Sequence, residues 1–92
     1  MRLTIEFFGA ARRLSRKKKV TLEVDDDVTL RDLNAELARQ FPAFLGQLII
    51  PETHELVDSY YFYNFHAGRA VQKDEKLKDG DRLLLMFVDA GG

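Results

Sequence analysis

The feature that most constrains the fold is the unbroken apolar run Leu83-Leu84-Leu85-Met86-Phe87-Val88. It lies between the turn Asp79-Gly80-Asp81 and the tail Asp89-Ala90-Gly91-Gly92. Gly80 supplies positive φ at no steric cost, so Asp79-Gly80 is a strong turn signal. An apolar run bounded by a turn reads as a strand buried on both faces, and such a strand belongs in the centre of a sheet. The tail carries no side chain of any size. It is expected to be a flexible thread, residues 89–92, beyond a folded domain of residues 1–88. Fully extended, such a thread reaches roughly 13 Å. Gly91 and Gly92 lack Cβ atoms, so the thread can enter a narrow slot in another protein. A frayed terminus is the plainer alternative.

With 92 residues the chain is expected to be one domain. A net charge of −1 gives the whole molecule no field to attract nucleic acid or an anionic membrane. The absence of cysteine excludes a disulfide scaffold, a thiolate zinc site and a Cys nucleophile. It fits a cytoplasmic protein. Met1-Arg2-Leu3-Thr4 has no signal-peptide pattern, and no apolar run approaches transmembrane length.

In chain order, Leu3, Ile5 and Phe7 alternate with Arg2, Thr4 and Glu6, the period of a strand. Phe8 breaks the alternation and is expected on the outer face. Of the 14 basic residues, Arg12, Arg13, Arg16, Lys17, Lys18 and Lys19 fall together. They read as the solvated loop of a hairpin, whose charges discourage edge pairing. Phosphate binding is the functional alternative. No aromatic residue is interleaved, and Asp25-Asp26-Asp27 would offset the charge if the two runs lie close. Val20, Leu22 and Val24 form a second alternating strand, antiparallel to the first. The three aspartates read as a solvated turn, because consecutive carboxylates do not converge on a cation.

Thr29 is a helix N-cap, with Asp32 three residues on completing a capping box. Leu30, Leu33, Leu37 and Phe41 make one apolar stripe, a core face, and Pro42 ends the helix. Residues 43–59 are hard to assign. Leu48-Ile49-Ile50 reads either as a short strand or as packing under a loop. His54 and His66 have no ligand-like spacing, and no nucleophile-elbow motif accompanies them. Tyr60 to Phe65 is an aromatic strand with alternate rings on opposite faces; a base-stacking platform is the alternative to simple packing. His66-Ala67-Gly68 reads as a turn, Arg69-Ala70-Val71 as a return strand, and Leu77 as the anchor of a polar connection. The fold class is therefore α+β: a β-grasp, ubiquitin-like, with a mixed sheet and one main helix packed on one face. The last strand sits centrally and parallel to the first.

The element order, the turn Leu77-Lys78-Asp79-Gly80-Asp81, the apolar last strand and Gly91-Gly92 resemble the MoaD/ThiS family of ubiquitin-like sulfur carriers over essentially the whole chain. Phe7-Phe8-Gly9-Ala10-Ala11-Arg12 is similar to the aromatic pair and nearby Arg of the MoaD branch, the small subunit of molybdopterin synthase. His66-Ala67-Gly68-Arg69-Ala70-Val71 resembles its hairpin, with Ala67 where Asn is usual. Phe87-Val88 stands where the MoaD tail commonly has two prolines. The length is nearer to MoaD than to the thiamin carriers.

The resemblance implies chemistry at Gly92. An E1-like enzyme of the MoeB/ThiF type would use ATP to adenylate its carboxylate. A persulfide donor would convert the adenylate to a thiocarboxylate. The tail would deliver the sulfur to an acceptor, in the MoaD branch the MoaE-type large subunit that makes molybdopterin. The chain itself would be no enzyme and would bind no cofactor or metal. Partners would meet Phe8, Arg12, Met86 and Phe87, with Ala90 and Gly91 in the slot. Packing of Phe8 in the core is the alternative for that residue. A thiamin-type carrier, a ubiquitin-like modifier joined to lysines through Gly92, and an RNA-binding β-grasp module using Arg12 to Lys19 with the Tyr60–Phe65 rings remain alternatives.

Overall fold

The computed structural model describes residues 1–88. Its elements are β1 (Arg2–Phe7), α1 (Ala10–Ser15), β2 (Lys19–Glu23), α2 (Leu30–Gln40), a 3-10 turn (Pro42–Phe44), β3 (Tyr60–Asn64), β4 (Arg69–Ala70) and β5 (Arg82–Phe87). The strands form one sheet in the order β2-β1-β5-β3-β4. β1 and β2 are antiparallel, as are β3 with β4 and with β5, while β5 runs parallel to β1. The expected β-grasp arrangement, with the last strand central and parallel to the first, is the observed one.

α2 forms where its cap says it should. The Thr29 hydroxyl accepts from the Asp32 N–H at 3.1 Å, and the Asp32 carboxylate accepts in return from the Thr29 N–H at 3.4 Å. Each bond satisfies a backbone donor that the first helical turn leaves free. Leu33 and Leu37 on its apolar stripe are fully buried, and Pro42 halts it by lacking an N–H. The core joins these to Leu3, Ile5 and Phe7 of β1, Leu22, Phe62, and Leu83 and Leu85 of β5. Phe7, Phe41 and Phe44 close one end, with ring centroids 5.2–5.5 Å apart.

β5 departs from expectation. Leu83 and Leu85 are buried, but Leu84 and Met86 on the other face are only half-buried, and Phe87 and Val88 are exposed. It is therefore not buried on both faces. α2 covers one side of the sheet, and among the described residues no second layer covers the other. The segment Arg12–Lys19 also differs: part of it is α1 rather than hairpin loop. Ala11 is buried and Leu14 packs on the core, so the two apolar residues at i, i+3 hold one turn of helix against the sheet.

Residues 45–59 wrap the core without a regular strand. Ile49 bridges to Leu45 and Leu56, and Leu48 and Ile49 are fully buried. At the opposite edge, buried Asn64 ties two turns together. Its amide donates to Asp81 Oδ2 at 3.2 Å and its oxygen accepts from the His66 and Ala67 N–H groups at 2.9 and 3.1 Å. Asp81 Oδ2 also accepts from the Lys78 N–H at 2.8 Å, which sets the turn that launches β5. Gly80 sits there at φ 85°, as the sequence requires.

Candidate partner-docking site

The parallel pairing of β1 with β5, Phe7 opposite Leu85, brings the ends of both strands to the same edge of the domain. Phe8 lies one residue past β1 and is 65% exposed; Phe87 and Val88 are 54% and 49% exposed. Three large apolar side chains thus stand open around the point where residue 89 begins. Isolated exposed apolar residues are ordinary, but a cluster at one place marks a contact surface.

The structure places Phe8 outside the core, which removes the packing alternative. Strand alternation puts Phe8 and Met86 on the open face of the sheet, with Met86 half-buried beside Tyr61. Phe87 points to the other face, where its ring lies 5.0 Å from that of Tyr60. The four described residues expected at the docking surface therefore share an end of the domain but not a face. The Val88 N–H donates to the Ser59 carbonyl at 2.7 Å, which anchors the last described residue. Ala90, Gly91 and Gly92 lie outside the described residues.

Arg12 is exposed on α1. The helix begins at Gly9, whose φ of 56° and ψ of −124° suit only glycine. It closes at Arg16, left-handed at φ 59°, whose N–H donates to the Arg12 carbonyl at 2.9 Å. The Lys17 N–H donates to the Ser15 hydroxyl at 3.1 Å, and the Phe7 N–H to the Lys18 carbonyl at 2.8 Å. These bonds fasten the basic stretch to the end of β1. All six cations from Arg12 to Lys19 are exposed. The ion pairs among the described residues use Arg2, Arg39, Arg69, Arg82 and the N-terminal amine instead. Asp25-Asp26-Asp27 does not offset them. β2 carries the chain from Lys19 at one end of the sheet to the aspartates at the other, about 20 Å away at strand rise.

The rings of β3 are divided as expected. Phe62 is buried, while Tyr63 and Phe65 belong to the open face with ring centroids 5.6 Å apart. The Arg82 guanidinium lies over the Phe65 ring at 4.3 Å and also bonds Glu6. Tyr63 and Phe65 meet edge-on, and the Phe65 face is taken by the guanidinium. Among the described residues, no group of His, Asp or Glu side chains is arranged to hold a metal ion. No helix of the described residues is long and apolar enough to cross a membrane. Sequence reasoning missed Val88 as a surface residue, because it closes a continuous apolar run.

No protein-family model matches the sequence, and a search of curated proteins finds no match. Solved structures do match. The chain superposes on SAMP1 from Haloferax volcanii with a TM-score of 0.82 at 24% identity, covering 100% of both chains. It superposes on the HVO 2177 protein of the same organism with a TM-score of 0.78 at 28% identity, covering 100% of this chain and 87% of that one. A chain of the complex of subunits 1 and 2 of molybdopterin-converting factor from Helicobacter pylori 26695 matches with a TM-score of 0.61 at 16% identity, covering 100% of both. The fold is that of the MoaD/ThiS-type ubiquitin-like carriers. In this ubiquitin-like frame, Phe8 and the end of β5 form one rim, and α1 stands beside it.

Proposed function

We propose that the chain is a ubiquitin-like sulfur carrier whose reactive group is the C-terminal carboxylate of Gly92. The observation that carries this reading is the open apolar rim of Phe8, Phe87 and Val88 around the start of residues 89–92. A rim of that kind lets a partner grip the domain while the narrow tail enters its slot. A carboxylate is a poor acyl donor because its leaving group would be oxide. Attack of a Gly92 oxygen on the α-phosphate of ATP, in an E1-like MoeB/ThiF-type enzyme, would release pyrophosphate and give an acyl adenylate. The terminal sulfur of a persulfide then attacks the acyl carbon and AMP leaves. A thiol cleaves the resulting S–S bond and frees the thiocarboxylate. The chain contributes no acid or base to these steps; it acts as a co-substrate.

The acceptor we favour is the MoaE-type large subunit of molybdopterin synthase, in molybdenum or tungsten cofactor synthesis. The likeness to a chain of the complex of molybdopterin-converting factor subunits 1 and 2 supports that choice. A second reading, conjugation of Gly92 to lysine amines, is supported by the likeness to small archaeal modifier proteins. Mass spectrometry of protein purified from its native cells tests both. The carrier reading expects a C-terminal peptide ending at Gly92, part of it heavier by the difference between sulfur and oxygen. Conjugates of the whole chain to other proteins, with no sulfur at Gly92, would favour the modifier. A peptide continuing past Gly92 would overturn both.

A further inference from the structure

The basic run on α1 and at the start of β2 plays no part in the chemistry above, yet it is the strongest charge feature of the chain. We infer that Arg13, Arg16, Lys17 and Lys18, beside the exit of β5, form a docking surface for an acidic protein surface bordering the slot that receives residues 89–92. The inference rests on the carrier reading for the role of the tail and on the structure for the surface.

Geometry comes first. α1 follows directly on Phe8, and Lys18 is bonded to Phe7, whose strand neighbour is Leu85. The cations therefore sit at the end of the domain where β5 ends. Electrostatics comes second. The carboxylates of Glu23, Asp25, Asp26, Asp27 and Asp79 gather at the far end of β1 and β2. A separation of about 20 Å exceeds the screening length of about 8 Å at physiological salt. The net charge of −1 thus hides a polar molecule. A partner approaching from the α1 side of the tail meets this run of cations, while the exposed carboxylate of Asp58 lies across the exit of β5 beside Ser59 and Val88. A one-sided positive surface of that kind raises association rates and orients the encounter.

The ring geometry weighs against RNA. Single-stranded RNA stacks successive bases on several free aromatic faces next to the cations, and beside α1 the exposed Phe8 offers one such ring rather than a row. Here Tyr63 and Phe65 pack on each other and under Arg82, on β3 and β5, with β1 between β5 and β2. Contact with the acidic end of a second copy would be head-to-tail and would build rings or open filaments, which self-association of the wild type would reveal.

The test neutralises the surface without touching Phe8 or Arg12. R13S/R16S/K17S/K18S alters exposed positions only, and an unchanged melting temperature verifies its fold. In ATP–pyrophosphate exchange with the activating enzyme at low salt, the apparent KM for the carrier should rise about tenfold with kcat little changed. High salt should remove the difference. In parallel, the labelled wild-type chain is titrated with a synthetic oligoglutamate peptide and with an oligouridylate of equal charge. Amide shifts confined to residues 8–19, larger for oligoglutamate, support the proposal. An unchanged KM in the variant overturns it. So does tighter binding of the oligouridylate, or self-association of the wild type that the substitutions abolish. If the wild type is not activated at all, the carrier reading falls. The peptide titration then decides this surface alone, and absent shifts end it.

Discussion

Phe8→Ala separates docking from folding, and the structure sets the size of both effects. Full burial of a Phe side chain contributes about 1.5–3 kcal/mol. Phe8 is 65% exposed, so only about a third of that is at stake, or roughly 0.5–1 kcal/mol. In a domain of 60–100 residues this lowers Tm by about 2–8 °C. Phe44 provides the internal standard. It is fully buried against Phe7 and Phe41, and truncating it to Ala should cost about 3–5 kcal/mol. Binding should respond in the opposite order. An exposed aromatic beside arginine is the side chain expected to anchor an interface, and its loss should weaken association with the activating enzyme by about 2 kcal/mol or more. Thermal melts read the first quantity and calorimetric titration the second. A Phe8→Ala protein that loses more than about 2 kcal/mol of stability, or binds its partner as tightly as wild type, would refute the reasoning.

Other expectations follow from single contacts. Thr29→Ala removes the α2 cap and should cost about 1 kcal/mol in urea titration at unchanged m-value. Asn64→Ala removes one of the two donors to the buried Asp81 carboxylate and the acceptor of two turn N–H groups; a loss of about 2–3 kcal/mol is expected in guanidinium melts. Hydrogen bonds from Arg39 and Gln40 lower the Glu36 pKa from 4.5 to about 2. Its folded value lies below its unfolded one, so the stabilisation is complete above pH 4.5 and is lost as pH falls through about 2. The pair is largely solvated, so Glu36→Gln should cost only about 0.3–0.5 kcal/mol at neutral pH and markedly less as pH falls to about 2, measured by urea melts at both. Gly92→Ala keeps the carboxylate but places a methyl beside the reacting carbon. Pyrophosphate exchange should slow on the order of a hundredfold, and Gly91→Ala should slow it less. Equal wild-type rates for both would show that the slot does not need glycine.

Local signals made most of the frame legible. The Thr29–Asp32 cap, the stripe from Leu33 to Phe41, the Asp79-Gly80 turn and the alternation of Leu3, Ile5 and Phe7 each act over a few residues. What escaped depends on distant partners. α1 has only one turn, and its Gly9 start and Ala11–Leu14 spacing were masked by the cations around them. The half-exposed state of β5 follows from the lack, among the described residues, of a second layer over the sheet, which no residue of β5 announces. Residues 45–59 bond irregularly to one another, with Ile50 N–H to the Glu55 carbonyl and Val57 N–H to the Leu48 carbonyl, and so carry no period to read. Of the docking surface, Phe8 was legible because it broke an alternation. Val88 was not, because it closes an unbroken apolar run.

The position of the rim follows from one topological choice. β5 runs parallel to β1, so the C-terminal ends of both strands lie together. Whatever follows β1, here Phe8 and the cations of α1, is therefore a neighbour of whatever follows β5. Had β5 paired antiparallel to β1, the tail would begin at the end that holds Met1, Asp26 and Asp79. A carboxylate tail would then leave from a negative surface, and an acidic slot would repel the domain presenting it. The antiparallel return of β2 completes the arrangement, since it moves Asp25-Asp26-Asp27 to the far end. One parallel and one antiparallel pairing thus sort a nearly neutral sequence into an end rich in cations, where β5 finishes, and an end rich in carboxylates. Core packing is untouched by that sorting, because the cations from Arg12 to Lys19 and the three aspartates are all exposed. Stability and docking can therefore be altered separately in this chain, which is why the Phe8, Phe44 and four-cation variants give independent readings.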